Sequence, residues 1–343
     1  MVEVDARAGR APSVAASRAL SAQAGRALVS VARYGNESTA AGTGLMSAAD
    51  ALPMPVAPTV DEAYAFCRRI AHRYGANFSV GFRFLPRRKR FAVYAAYAFC
   101  RWADDIADEG QQRAASGGRA LDDWQRELEA CYAGRPSHPI TIALADALRF
   151  FDIPKAAFVA LIDGCRQDLV KKRYATFEEL LQYCRLVALS ISDISLAIFG
   201  YGTQAAIDHG RSLATALQLT NVTRDIGDDL TRDRVYVPQD ELRRFGVSEH
   251  DLFDRVEGDG LRQLIEFQIE RAESYFRAAE PLLNELSFDS RFPTLLMGGV
   301  YATVLQRLRR NPLIVLRKRL SLTPLEKIGV ILRRLIRPHF IET

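Results

Sequence analysis

The sequence predicts an all-α protein, and two observations lead to this fold class. From residue 59 onward, apolar residues recur at spacings of three and four, which is the period of a half-buried helix. Clusters of glycine and proline separate these periodic segments, and few segments show the alternation of a strand. No strand–helix alternation or glycine-rich fingerprint supports a Rossmann unit, so the sequence gives no reason to expect a bound nicotinamide cofactor.

About ten helices are expected in chain order. Their approximate spans are 59–74, 86–108, 119–132, 138–150, 154–170, 176–199, 203–230, 258–286, 291–310 and 323–336. Pro86 and Pro154 stand at predicted helix starts, where proline is tolerated because that N–H has no intrahelical partner. The loops at 109–118, 133–139 and 232–241 separate the longer helices.

Composition divides the chain into three parts. Residues 1–56 are rich in Ala, Ser, Gly and Arg, which predicts a disordered extension. An organelle transit peptide is the alternative, although Glu3 and Asp5 are unusual in that acid-poor class. Residues 57–310 are expected to form one folded domain, and residues 311–343 a basic amphipathic tail.

The overall composition limits the possible partners and compartments. A net charge of +5 with a pI near 9.0 is only mildly basic, so nucleic-acid binding is not expected. The five cysteines are odd in number and form no C-x-x-C pattern, which argues against disulfides and zinc and favours a reducing cytoplasm. No apolar stretch is expected to reach the roughly 18 residues that span a bilayer.

Six aspartates stand in two short segments: Asp104, Asp105 and Asp108 in the first, and Asp225, Asp228 and Asp229 in the second. In each segment two aspartates are four residues apart and share one helical face, where like charges cost about 0.2–0.5 kcal/mol per pair. Mg²⁺ relieves such repulsion and is commonly held by one or two carboxylates plus substrate phosphates. The pattern predicts a Mg²⁺-dependent diphosphate site; the alternative is two solvated helix faces.

Two longer motifs contain these aspartates. The first is YAFCRWADDIAD at 97–108, and the second is QLTNVTRDIGDD at 218–229, followed by RVYVP at 234–238. With these motifs the chain resembles the squalene/phytoene synthase family of head-to-head prenyltransferases over about residues 60–310. The resemblance implies a single-domain, isoprenoid synthase-type helical bundle. Its catalytic domain would span residues 57–310, with the acidic helices facing each other across a central cavity.

The resemblance also implies roles for individual residues. Asp104, Asp108, Asp225 and Asp229 would bind Mg²⁺, with Mn²⁺ as the alternative ion, and Asp105 and Asp228 would support them. The substrate diphosphates would contact Arg101, Arg224, Arg234, Asn221 and Gln218. Another interpretation of Arg101 is a simple helical pair with an aspartate three or four residues away.

The resemblance assigns Tyr183 to proton handling or pyrophosphate-assisted steps, beside the reacting carbons. Pocket walls would be formed by Tyr97, Asn77, Phe78, Leu189 and Tyr301. Leu189 and Ser192 replace two glycines that let a helix kink in relatives, which predicts a straighter helix or less room. Asn77-Phe78 and Asp168 resemble the hydroxysqualene synthase branch, whereas the second acidic motif resembles phytoene and presqualene diphosphate synthases.

The expected activity is Mg²⁺-dependent head-to-head condensation through a cyclopropylcarbinyl diphosphate, with geranylgeranyl diphosphate giving phytoene. The alternatives are farnesyl diphosphate giving presqualene diphosphate, squalene or dehydrosqualene, and presqualene diphosphate giving hydroxysqualene. NADPH is not expected. A non-catalytic assembly factor of the same fold is disfavoured by the intact carboxylates. The residues flanking the acidic motifs argue against a head-to-tail elongator or a terpene cyclase.

The expected partners are isoprenyl diphosphates, and the chain is expected to be a cytoplasmic monomer. Ten Lys or Arg follow Tyr301, interleaved with apolar residues. This pattern predicts peripheral contact with an anionic membrane. The alternative is a terminal helix with a solvated face.

Overall fold

A computed structural model of the chain describes residues 58–74, 79–110 and 114–341. These residues form helices and loops, and they contain no strand apart from two isolated bridges, Arg173 with Val235 and Tyr201 with Leu286. The predicted all-α fold is therefore confirmed. The predicted N-terminal extension, residues 1–56, lies outside the described residues.

The helices are numbered in chain order. The first six are α1 (Val60–Tyr74), α2 (Ser79–Phe82), α3 (Arg87–Gly110), α4 (Ala114–Tyr132), α5 (Pro139–Leu148) and α6 (Lys155–Val170). The next five are α7 (Phe177–Cys184), α8 (Ser190–Phe199), α9 (Ala205–Arg224), α10 (Ile226–Leu230) and α11 (Gln239–Arg244). The last five are α12 (Glu249–Phe253), α13 (Asp259–Ala279), α14 (Leu282–Glu285), α15 (Phe288–Arg310) and α16 (Pro324–Ile336). A π-helical turn (Arg185–Leu189) joins α7 to α8, and a 3₁₀-helix (Pro312–Leu316) follows α15.

Two helices that were predicted to be continuous are broken. The helix expected at 203–230 is interrupted at Asp225, which has φ −97° and ψ 8° and separates α9 from α10. The amide of Asp229 still donates to the Asp225 carbonyl at 2.8 Å, so these residues remain one turn apart. The helix expected at 258–286 ends before Pro281, whose ring removes the N–H of a continuing helix.

The segment where two glycines are missing contains a π-helical turn instead of a regular α-helix. The predicted straighter helix is wrong, because Arg185–Leu189 forms a π-helical turn without any glycine. Helix α6 supplies the space instead: a Cβ added to Gly164 would lie 2.5 Å from Cγ1 of Val187. A glycine on the neighbouring helix therefore accommodates the bulge.

The expectation that no apolar stretch reaches membrane-spanning length also needs correction. Among the described residues, Phe177–Phe199 is long and apolar enough to cross a membrane by length and composition alone. Only Arg185 and Asp193 are charged after Glu179 in this stretch, so its apolar character is nearly continuous. In the fold it packs against α6 and α9, as a core helix does.

The packing around helices α3 and α9 positions the two acidic segments. Helix α3 carries the first segment and is held by α1, α4, α5 and α6. Helix α9 carries the second segment at its end and packs along α13, with α15 on another side. Helix α8 contacts both α3 and α9, so both segments belong to one continuous core.

Candidate functional site

The first acidic segment lies near the C-terminal end of α3. Asp104 accepts a hydrogen bond from the Cys165 thiol of α6 at 3.5 Å. Asp105 is buried and forms an ion pair with Arg101. Arg101 is thus paired along its own helix, as the alternative interpretation allowed, and its guanidinium also lies 5.0 Å from the Tyr74 ring centre.

Asp104 has an unusual electrostatic environment. Its side chain is accessible to water. Surrounding protein nevertheless desolvates it and raises the pKa of its carboxyl to about 7, with Asp108 and Asp168 shifting it in the same direction. Asp104 is therefore reached by water although most of its surroundings are protein.

In the second acidic segment, both carboxylate oxygens of Asp225 are bound by arginine. The buried Arg224 donates Nε to Oδ1 at 2.6 Å and Nη2 to Oδ2 at 2.5 Å. Arg319, from the C-terminal segment, adds hydrogen bonds of 2.8 and 3.3 Å to the same oxygens. Although burial opposes ionisation, the two guanidinium groups hold the pKa of Asp225 below its ordinary value. Asp228 is exposed and lies 3.9 Å from Nε of Arg319.

Asp229 and Gly227 belong to the same acidic segment, and Gly227 lies against the C-terminal part of the chain. Burial raises the pKa of the Asp229 carboxyl to about 7, and Asp225 adds to the shift. A Cβ at Gly227 would overlap the carbonyl oxygen of Val315 in the 3₁₀-helix. Only glycine permits this close approach, which brings Arg319 within reach of Asp225.

Arg234 connects the two acidic segments. Its buried side chain places Nη1 3.8 Å from Oδ1 of Asp108, and Nη2 donates to the backbone carbonyl of Asp168 at 3.2 Å. Its amide donates to the Asp229 carbonyl at 2.9 Å. One guanidinium therefore lies where α3, α6 and the second acidic segment converge.

Asp168 organises a cluster of tyrosines. It accepts hydrogen bonds from the hydroxyls of Tyr183 at 2.8 Å and Tyr236 at 3.0 Å. The Tyr174 ring stacks on Tyr236 with centroids 5.7 Å apart. Burial raises the pKa of Asp168, whereas Arg234 and the two tyrosine hydroxyls oppose this shift. Burial also raises the pKa of Tyr183 well above its ordinary value. Tyr183 is thus placed beside the partly buried carboxyl of Asp168, a residue whose backbone carbonyl binds the arginine that lies next to Asp108.

Two further predicted pocket residues lie beside the acidic segments. Tyr301 of α15 is buried and accepts a hydrogen bond from Arg224. Tyr97 of α3 lies near Tyr301 and Asp104, and burial raises its pKa above the ordinary value.

The other predicted residues lie at the edge of this region or outside the described part. Asn221 donates to Gln218 at 3.4 Å on the last turns of α9. Leu189 is half-buried at the end of the π-helical turn. Asn77 and Phe78 lie outside the described residues.

The donor set fits a hard divalent cation. Within the described part of the chain, no three His, Cys, Asp or Glu side chains converge as a preformed metal site, since Asp108 and Asp225 contact arginines instead. Oδ1 of Asn221, however, is buried and has no hydrogen-bond partner among the described residues. This oxygen and the carboxylates are the ligand types that Mg²⁺ prefers, so the residues present could hold it.

Three side chains of this region lie outside the set of predicted site residues. Tyr236 was noted only as part of RVYVP, and Arg319 only as one basic residue of the tail. Asp168 was noted only as a branch marker. The contact of Arg319 with Asp225 joins residues 94 apart in the chain, which no local pattern reveals.

Comparisons with known proteins agree with this geometry. The sequence model of the family described as squalene/phytoene synthase matches residues 71–326. A 15-cis-phytoene synthase of Synechococcus elongatus is 37% identical over 78% of this chain and 91% of that protein. Among solved structures, a dehydrosqualene synthase with bound ligand is 27% identical with a TM-score of 0.73, covering 81% of this chain and 98% of that one.

A second solved structure is the squalene synthase HpnC from Alicyclobacillus acidocaldarius. It is 32% identical, with a TM-score of 0.69, and covers 73% of this chain and 94% of that one. The family match spans most of the chain and includes both acidic segments, Tyr183 and Arg234. This chain therefore belongs to the squalene/phytoene synthase family, whose members transfer isoprenyl groups.

Proposed function

We propose that this chain joins two molecules of geranylgeranyl diphosphate head to head, through a cyclopropylcarbinyl diphosphate, to give phytoene. Enzymes of this family act on isoprenyl diphosphates and generally need a divalent metal ion. One observation carries the proposal: two intact acidic segments joined by Arg234, in a chain 37% identical to a 15-cis-phytoene synthase. Residues 57–310 would form the catalytic domain.

The chain's own residues supply binding and charge. Asp104, Asp108, Asp225 and Asp229 would hold Mg²⁺ or Mn²⁺, with Asp105 and Asp228 in support. When bound, the ion would stabilise the negative charge that develops on the departing pyrophosphate.

The predicted diphosphate-binding arginines differ in their readiness to bind phosphate. Arg224 and Arg234 are fixed beside the carboxylates, and their planar donors suit bidentate contact with phosphate oxygens. Asn221 and Gln218 lie on the same helix end and would contact the diphosphate or its metal ion. Arg101 would reach the phosphates only by exchanging its contact with Asp105.

The tyrosine cluster suits the carbocation steps. Rings of Tyr174, Tyr183 and Tyr236 lie within 5.4–5.7 Å of one another, and aromatic faces attract cations by about 0.5–2 kcal/mol. Proton loss from the rearranged cation gives the polyene. Tyr183 is proposed to handle this proton, because its hydroxyl already donates to the partly buried Asp168.

A C30 product is the second candidate. The similarity to a dehydrosqualene synthase and to HpnC, a squalene synthase, favours farnesyl diphosphate as the alternative substrate. Tyr97, Leu189 and Tyr301 would line the cavity whose depth separates these substrates.

Product analysis tests the proposal. The purified protein is incubated with Mg²⁺ and either geranylgeranyl or farnesyl diphosphate, with and without NADPH, and the extracted hydrocarbons are identified. We expect phytoene from geranylgeranyl diphosphate without NADPH. A C30 hydrocarbon from farnesyl diphosphate alone would favour the second candidate, and the absence of any C30 or C40 product or cyclopropylcarbinyl intermediate would refute the synthase assignment.

The proposal also covers the setting of the enzyme. All five cysteines are free and buried, which supports a reducing compartment such as the cytoplasm. The proposed enzyme would be a monomer. Its residues 311–343 would contact a membrane surface, which suits a product too apolar for water.

A further inference from the structure

The basic residues of the C-terminal segment fall into two groups. Some are committed to internal contacts: Arg307 pairs with Glu326, Arg317 with Glu257 and Arg319 with Asp225. Arg334 is buried and donates to the carbonyl oxygens of His339 and Phe340. These arginines hold the C-terminal segment in place and are not available to a partner.

A second group lines one surface cleft between α15 and α16. The cleft has a volume of about 700 Å³, and its walls are Gln306, Arg309, Arg310, Arg333, Ile336 and Arg337. Arg309 pairs with Glu273 at 2.9 Å. Arg309 also lies 3.9 Å from Glu270, whereas Arg310, Arg333 and Arg337 are exposed and make no ion pair with the described residues. The cleft therefore presents an excess of positive charge.

An apolar stripe runs beside this cleft on the outer face of α16. Leu325 and Ile336 are each 79% exposed, and Leu332 and Leu335 are 48% and 43% exposed. Positions 325, 332, 335 and 336 share one helical face. The opposite face, with Val330 and Ile331, is buried against the bundle. The outward stripe is therefore additional to the one that anchors the helix.

We propose that this surface binds anionic phospholipid headgroups of a bilayer, with phosphate oxygens in the arginine cleft and the stripe of α16 inserted at the headgroup–acyl boundary. Guanidinium groups match phosphate oxygens in a bidentate fork, and exposed apolar side chains beside basic ones are typical of interfacial helices. A second copy of this chain fits poorly, because a two-fold contact would place identical arginine clefts against each other. The inference rests on the proposed membrane contact but not on the proposed chemistry.

Vesicle sedimentation of the full-length protein tests the proposal. Vesicles of phosphatidylcholine are compared with vesicles that also contain phosphatidylglycerol. The charge variant is R310Q/R333Q/R337Q, and the matched control R68Q/R119Q/R135Q removes three exposed arginines from other elements. A third variant, L332S/I336S, removes part of the stripe. Circular dichroism and turnover with detergent-dispersed substrate verify that each variant is folded and active.

We expect the wild type to bind the anionic vesicles and to release them as salt is raised. The charge variant should bind about 100-fold more weakly, at about fivefold per arginine, while the matched control stays within about fivefold of the wild type. The stripe variant should lose roughly tenfold or more.

Three results would overturn the proposal. One is failure of the wild type to bind anionic vesicles. Another is equal loss in the two arginine variants, which would mean attraction by net charge alone. The third is a wild-type protein that self-associates and does not bind vesicles, with the self-association abolished in L332S/I336S. That result would assign the apolar stripe to contact with a second copy of the chain. Loss of turnover with intact vesicle binding would count against the proposed function instead.

Discussion

Replacing Asp168 by asparagine removes a charge at the centre of the tyrosine cluster while keeping the side-chain shape. In the wild type, its two oxygens accept hydrogen bonds from Tyr183 at 2.8 Å and Tyr236 at 3.0 Å. Asparagine keeps one acceptor oxygen and presents an NH₂ group to the other hydroxyl. A hydrogen bond to a charged group contributes about 1.5–3 kcal/mol, and the buried Arg234 also loses a neighbouring negative charge. We expect D168N to lower the free energy of unfolding by about 2–4 kcal/mol.

Urea unfolding followed by circular dichroism at pH 8 measures this loss. The matched control is Asp163→Asn on the same helix, whose carboxylate is 49% exposed and pairs with Arg166. That surface pair is worth about 0–1 kcal/mol, so D163N should stay close to the wild type. A D168N protein as stable as D163N would refute the role given to Asp168.

The pH dependence of D168N adds a second check. Burial raises the pKa of Asp168, so the carboxyl gains its proton at a higher pH than an exposed aspartate would. Because the folded state holds this proton more tightly than the unfolded chain does, the wild type gains stability as pH falls through the folded-state pKa, and D168N lacks this gain. The stability difference between wild type and D168N should therefore grow as pH falls, and a difference that shrinks would contradict this account.

Three other perturbations are predicted to have measurable outcomes. The pKa values of Asp104 and Asp229 are raised from 3.8 to about 7, so both carboxyls stabilise the metal-free fold below pH 4 and lose that contribution as pH rises through 7. Because protons compete with the metal ion for these carboxylates, the Mg²⁺ affinity measured by calorimetry should fall below pH 7, and an affinity that does not change with pH would contradict this. Arg319→Gln leaves Asp225 with Arg224 alone. Because Arg319 is 56% exposed, this substitution should lower the free energy of thermal unfolding by at most about 1 kcal/mol, and it should change the affinity for pyrophosphate. If neither the stability nor the pyrophosphate affinity changed, the contact would be refuted. Phe340→Ala leaves a cavity at a fully buried position and should lower the free energy of unfolding by about 3–5 kcal/mol, with protease cleavage then occurring in the C-terminal segment. An unaltered melting temperature would show that Phe340 does not anchor this segment.

The features that depend on local sequence could be predicted. Helical periodicity predicted both ends of α3, α6 and α16 to within a few residues. Pro154 stands at the N-terminus of α6, as predicted. The spacing of four between Arg101 and Asp105 already allowed the pair that the structure contains. Such features involve neighbours on one helix, so periodicity and spacing are sufficient to find them.

Features that depend on distant contacts could not be predicted from local patterns. The hydrogen bond from Tyr236 to Asp168 joins residues 68 apart, and the contact of Arg319 with Asp225 joins residues 94 apart. The π-helical turn was missed because the glycine that leaves room for it, Gly164, lies on another helix. In each case the deciding interaction is tertiary and leaves no periodic signal in the chain.

The central claim is that the two acidic segments form one site for a divalent metal ion and a diphosphate. Calorimetric titration of pyrophosphate, with and without Mg²⁺, into wild type, D104N and D225N tests it most directly. Asp122→Asn serves as the control, since Asp122 is exposed on α4 and, among the described residues, its one ion pair is with Arg166. We expect wild type and D122N to bind pyrophosphate only with Mg²⁺. D104N changes α3 and D225N changes the residue after α9, yet each variant should lose at least tenfold in affinity for pyrophosphate. Unchanged binding in either site variant, with its helical content intact, would contradict a shared site.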